Sequence, residues 1–183
     1  MASVRGQASR LHLWVPFAVG ALLGGATSGV GLAVLSGLAS PIPERVRLST
    51  AVALAIALTV TDLVQRRLRL PQRHTLIPQT VFAAGIARGI FRFGYEYGTG
   101  VRTLIPSAAS YVVAVALVLV GLPWWQTVLV GAVFGFSRTL AVLQYLVLGE
   151  EGWAELLSGH TRLLERTGTV LAALLVAVAV LPL

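Results

Sequence analysis

The stretch Leu13-Trp-Val-Pro-Phe-Ala-Val-Gly-Ala-Leu-Leu-Gly-Gly-Ala-Thr-Ser-Gly-Val-Gly-Leu-Ala-Val-Leu-Ser-Gly-Leu38 contains no charged residue. A helix rises about 1.5 Å per residue, so about 20 apolar residues cross the roughly 30 Å hydrocarbon core of a bilayer. This stretch exceeds that length, and Pro41 and Pro43 stop it. It is too long for the apolar region of a cleaved signal peptide, it lacks a clear small-residue cleavage site, and more apolar segments follow it. It reads as a membrane-spanning helix.

Five further segments share that character. They run from about 48 to 64, 80 to 105, 107 to 122, 125 to 148 and 169 to 183, with Pro123 closing the fourth. The prediction is an all-α, polytopic transmembrane helix bundle of about six spans, forming one integral membrane domain over residues 1–183. The longest connection, Glu150 to Gly168, is too short to fold alone. Within it, residues 153–164 place apolar side chains at helical spacing with charges opposite, which predicts a short interfacial helix anchored by Trp153. Trp14, Trp124 and Trp125 lie at predicted span ends, where aromatic belts form.

Composition agrees. The 183 residues are 56% hydrophobic and 11% charged, with a mean hydropathy of +0.84, whereas soluble domains are about 25% charged. There is no Cys, so disulfides, thiolate metal sites and thiol redox chemistry are excluded. There is no Lys either, so all 14 basic residues are Arg and lysine chemistry is excluded. Asn is also missing, which points to codon bias as the source of the all-Arg composition. The pI of about 11.3 is assigned to membrane topology and intramembrane Arg rather than to nucleic acid, for which no binding is expected.

Arginine placement gives an orientation. Arg5, Arg10, Arg66, Arg67, Arg69 and Arg73 fall on one side of a six-span chain; Arg45, Arg47, Arg162 and Arg166 fall on the other, beside Glu. The expectation is a cytoplasmic (inner) membrane protein with both termini cytoplasmic.

Small residues recur four apart at Gly20/Gly24, Gly25/Gly29, Gly85/Gly89, Gly94/Gly98 and Gly131/Gly135. In lipid, such faces let helix backbones approach and gain dispersion contacts. Packing within the bundle is the first expectation, and a homo-oligomer contact the second. Ser28-Gly29-Val30 resembles Thr99-Gly100-Val101, and Arg102-Thr103-Leu104 recurs as Arg138-Thr139-Leu140, which hints at two three-helix repeats.

The third segment is the charged one. Arg88, Arg92, Glu96, Thr99 and Thr103 fall on one helical face, and Arg138 is a further candidate in the fifth segment. Arg88, Arg92, Arg102 and Arg138 carry four positive charges against one from Glu96, which sits a turn from Arg92. Asp62 is expected to be satisfied by Arg66. An Arg at the bilayer centre costs roughly 2.5–3.5 kcal/mol on insertion scales, so these side chains should face protein or water. The excess positive charge needs an anionic ligand, an anionic lipid, helix C-terminal carbonyls or an acidic partner protein. A structural ion-pair lock is the competing account. Gly94, Gly98 and Gly100, followed by Pro106, predict a backbone hinge, with Tyr95 to Pro106 broken or unwound.

No enzyme motif is present: there is no HExxH, no GxSxG and no Gly-rich phosphate loop. His12, His74 and His160 stand on separate connections or ends, so no metal site and no cofactor are expected.

The stretch from Arg92 to Val112, with its Phe93-Gly94…Gly98-Thr99-Gly100…Thr103 pattern, resembles small six-span bacterial membrane proteins grouped with the cytochrome c biogenesis CcdA-like and methylamine-utilisation MauE-like families. The resemblance covers about the middle quarter of the chain. Those families pass electrons through membrane thiols; this chain has no cysteine, so the resemblance implies a small helical bundle and not that chemistry.

The functional expectation is a non-enzymatic membrane protein that binds or transports a small anionic solute through an Arg-lined interior. Arg88, Arg92, Glu96, Thr99, Arg102 and Arg138 would form the binding set. The alternative is a subunit or assembly factor of a membrane complex whose Arg residues dock an acidic partner.

Overall fold

The computed structural model describes residues 2–64, 85–100, 109–158 and 161–180. These form six helices: α1 (Ala2–Ala39), α2 (Glu44–Val64), α3 (Ile86–Gly98), α4 (Ala109–Leu119), α5 (Trp124–Leu157) and α6 (Thr161–Val180). Among the described residues there is no strand, so the class is all-α. Among the described residues, two helical segments are long and apolar enough to cross a membrane, His12–Ala39 and Trp124–Glu155.

The third and fourth segments are shorter as helices than hydropathy predicts. In place of 80–105, α3 covers Ile86–Gly98, because Gly85 (φ 103°) and Gly100 (φ 71°) adopt backbone conformations that end a right-handed helix at both sides. Residues 80–84 and 101–108 lie outside the described residues, and α4 occupies 109–119 of the predicted 107–122. Tyr95 to Gly98 are helical, Thr99 keeps right-handed helical φ and ψ, and the chain leaves the helix at Gly100; residues 101–106 of the expected break lie outside the described residues. The predicted interfacial helix over 153–164 is also divided. Glu150–Leu157 follows a kink at Gly149 (φ 76°, ψ 178°), while Thr161 already belongs to α6.

The chain forms two units. One comprises residues 1–29, 73–104 and 128–158; the other comprises 30–72, 105–127 and 159–183. The first is built on α1, α3 and α5, and the second on α2, α4 and α6 with the end of α1 from Val30 and the start of α5 to Thr127, so the helices of the two units alternate along the chain.

In the first unit, glycines set the packing. A side chain on Gly94 would collide with the backbone of Phe17, and one on Gly98 with the backbone of Ala21. Conversely, Gly20 lies against Phe91 and Tyr95, and Gly24 against Tyr95 and Thr99. Residue numbers rise together, so α1 and α3 run parallel. Gly25 meets Gly131 and Gly135, Gly135 meets Ala21, and Trp14 donates a hydrogen bond to the carbonyl oxygen of Thr139 at 3.2 Å. Here the numbers run in opposite senses, so α1 and α5 are antiparallel. Phe17 fills the α1–α3 seam, its ring 5.8 Å from Phe93 and 5.5 Å from Tyr97.

In the second unit α2, α4 and α6 pack on one another. Ala55, Val112, Ala172 and Val176 form the core, with Leu58, Ala109, Val113 and Ala116 against it. Ala109, Val112, Val113 and Ala116 are a helical stripe along α4. Asp62 accepts a hydrogen bond from Thr169 Oγ1 at 2.7 Å. Ala55, earlier on α2, shares its core with Ala172 and Val176, later on α6, so these two helices are antiparallel.

Candidate functional site

The charged face of α3 begins in its first turn. Arg88 is exposed and has no ion-pair partner among the described residues. Arg92, one turn on, has a side chain 67% exposed; its Nε lies 3.5 Å from Oε1 of Glu96, whose side chain is only 12% exposed. The pair therefore has an outward cation and an inward carboxylate. This follows from the position of the small residues: Gly94 and Gly98 turn toward α1, which leaves Arg88 and Arg92 on the flank beside that contact.

The register fixes their level on α1. Gly94 against Phe17 sets Arg88 level with Leu11 and Arg92 with Val15; Gly20 beneath Phe91 and Tyr95 shifts both by about one turn, to Val15 and Val19. Both arginines thus stand near the N-terminal end of the apolar segment His12–Ala39, at the level of Trp14, and not at its middle.

Arg138 belongs to a different cluster. Its Nη1 donates to the carbonyl oxygen of Tyr97 at 3.0 Å, and its guanidinium carbon lies 4.3 Å from the centre of the Tyr97 ring and 5.6 Å from that of Phe134. The carbonyls at the end of α3 carry the negative end of the helix dipole, which suits a cation. Gly100 completes this corner, since a side chain there would meet the Phe134 ring at 3.3 Å and Arg138 Nη1 at 3.4 Å. Thr99 is engaged in the same turn. Its hydroxyl donates to the carbonyl of Glu96 at 2.8 Å, and its own carbonyl accepts from Ser28 Oγ at 2.8 Å.

The predicted set therefore divides. Arg92 and Glu96 come together, and Arg138, Thr99 and Gly100 gather at the end of α3. Arg88 stands about 13 Å along the helix axis from Tyr97. Arg102 lies outside the described residues, as does Arg66. Gly94 and Gly98 lie inside α3 as contact points for α1 and not at a hinge; Gly100, with its positive φ, is where the chain leaves the helix.

Sequence reasoning missed Tyr97, Ser28, Phe134 and Thr169. Phe134, one turn before Arg138, had a detectable signal; the Tyr97 carbonyl, being backbone, had none. Among the described residues no three His, Asp or Glu side chains gather into a metal-binding set.

No family model matches the chain, and neither does any curated protein or solved structure.

Proposed function

We propose that the chain is a multi-pass protein of the cytoplasmic membrane, without enzymatic activity, that binds an anionic group through the arginines of α3. The membrane assignment rests on where the apolar residues lie. The long helices leave their large side chains outside: on α1, Val34 is 59% and Leu38 72% exposed, and on α5, Val133 is 59% and Val147 60% exposed. A core helix of a soluble protein buries such residues.

The orientation rests on the arginines. Arg5, Arg10, Arg66, Arg67, Arg69 and Arg73 lie on the N-terminal side of a six-span chain, against Arg45, Arg47, Arg162 and Arg166 beside Glu on the other. The N-terminal side is therefore taken as cytoplasmic, and six crossings return the chain to it, so that both termini are cytoplasmic.

The anion reading rests on Arg88 and Arg92, two exposed cations one turn apart with one inward carboxylate beside them. It moves the site from an Arg-lined interior to the flank of α3, because α1 meets α3 and α5 through glycine-to-backbone contacts that leave no room for a lumen at those seams. Arg138 is assigned to structure. The test is thermal stability of the purified protein against a panel of anions and anionic lipids. A ligand of the folded state raises the melting temperature by mass action, and Arg92→Ala should remove the shift. An unchanged shift in Arg92→Ala would end this reading. A second reading, docking of an acidic partner protein on the same flank, is favoured by the same exposure and calls for co-purification that depends on Arg88 and Arg92.

A further inference from the structure

We infer that the anionic group is the headgroup phosphate of a phospholipid in the leaflet on the N-terminal side, held between Arg88 and Arg92. The inference rests on the membrane reading above and deepens its anion site.

Three observations carry it. The first is exposure. Both guanidinium groups are on the surface, and Glu96, the carboxylate paired with Arg92, is turned inward with 12% of its side chain exposed. The flank therefore offers two positive charges outward and returns little negative charge.

The second is depth. The α1–α3 register sets Arg88 between the levels of Leu11 and Val15, and Arg92 between those of Val15 and Val19. The apolar segment of α1 begins at His12, and Trp14 stands at this level. Long Arg side chains at such a position reach the interface with the charged head while their stems lie on apolar surface.

The third is spacing. Residues four apart on a helix have Cβ atoms about 5–6 Å apart, so two guanidinium forks can close on one phosphate with bidentate hydrogen bonds. Lipid phosphates occupy that depth all around the protein, whereas a free anion has to leave bulk water to reach it. Exposed Phe91, about 60° around the helix from Arg88, provides apolar surface for the glycerol and acyl chain.

The experiment uses the full chain in mild detergent. Melting temperature and native mass spectra are recorded with phosphatidylglycerol, phosphatidylcholine or inorganic phosphate for the wild type, for Arg88→Gln/Arg92→Gln and for Arg88→Lys/Arg92→Lys. Phosphatidylglycerol should stabilise the wild type and stay bound in the gas phase. The Gln pair should lose most of that shift and the Lys pair should keep part of it. Inorganic phosphate should produce none. Equal shifts in the wild type and the Gln pair overturn the inference, as does a phosphate effect as large as that of the lipid. Arginine-dependent retention of a co-purifying protein, without a lipid effect, overturns it in favour of a protein partner. Circular dichroism of each variant confirms that it is folded. Extraction of the chain from cell membranes by alkaline carbonate overturns the membrane reading itself; retention in the membrane without preference for anionic lipid overturns the headgroup site alone.

Discussion

Arg138 Nη1, on α5, donates a 3.0 Å hydrogen bond to the carbonyl oxygen of Tyr97, in the last turn of α3. The same guanidinium lies over the Tyr97 ring. One side chain thus satisfies a helix-end carbonyl and stacks on an aromatic face, and both contacts suit a planar delocalised cation. Arg138→Gln should destabilise the protein by about 1.5–3 kcal/mol, the range for a hydrogen bond involving a charged group. Arg138→Lys should recover less than half of that loss, because an ammonium lacks the planar fork. Thermal unfolding in detergent checks both. Full recovery by Lys would mean that charge alone is at work.

The glycine contacts make a sharper prediction. A methyl group on Gly98 would overlap the backbone of Ala21, and one on Gly25 the backbone of Gly131. Backbone atoms inside paired helices cannot rotate away, so Gly98→Ala and Gly25→Ala should each cost about 1–3 kcal/mol as overpacking. A methyl group on Gly31, on the same α1 helix, would meet nothing within 4 Å. Gly31→Ala should therefore be neutral or gain up to about 1 kcal/mol of helix propensity. Equal effects at all three positions would remove the close-packing argument.

In the second unit, Thr169 is fully buried and its hydroxyl donates to Asp62. Thr169→Val keeps the shape and removes the donor, leaving a carboxylate oxygen short of a partner at a cost of about 1–3 kcal/mol. Thr169→Ser should retain most of the stability. Asp62→Asn should be milder than Thr169→Val, since the amide oxygen still accepts. These variants are ranked by melting temperature.

The number of crossings is decided by two serines. Ser40, in the turn after α1, and Ser158, in the turn before α6, are both exposed. The chain has no native cysteine, so single Cys substitutions can be labelled without background. With six crossings, an impermeant maleimide applied to intact cells labels both Ser40→Cys and Ser158→Cys. Labelling of Ser40→Cys alone, with Ser158→Cys reached only after the membrane is opened, would mean an odd number of crossings between them and overturn the six-span reading.

Helix locations were readable from the chain because Pro41, Pro43 and Pro123 punctuate its apolar runs. The four-residue glycine spacing at Gly20, Gly25, Gly94 and Gly131 also announced close helix contacts. Which helix each glycine meets was not readable, since periodicity defines a face and says nothing of its partner. The alternating grouping of helices stayed hidden for the same reason. The length of α3 was overestimated because hydropathy does not distinguish a helical glycine such as Gly94 from a left-handed one such as Gly85 or Gly100. At the site, the shared face of Arg92 and Glu96 followed from spacing alone. The outward aim of Arg88 and Arg92 depended on the rotation of α3 about its axis, which Gly94 and Gly98 fix only once α1 is in place.

The two glycine registers of α1 adjoin: Gly20 and Gly24 meet α3, and Gly25 and Gly29 meet α5. Each residue turns a helix by about 100°. A single codon inserted or lost between Gly24 and Gly25 would swing one half of this double-sided seam away from its neighbour while the other half stayed seated, and no side-chain change could repair it. The segment from Gly20 to Gly29 should therefore tolerate neither insertions nor deletions over evolutionary time, even where point changes to its outward residues, Leu22 and Leu23, are accepted freely.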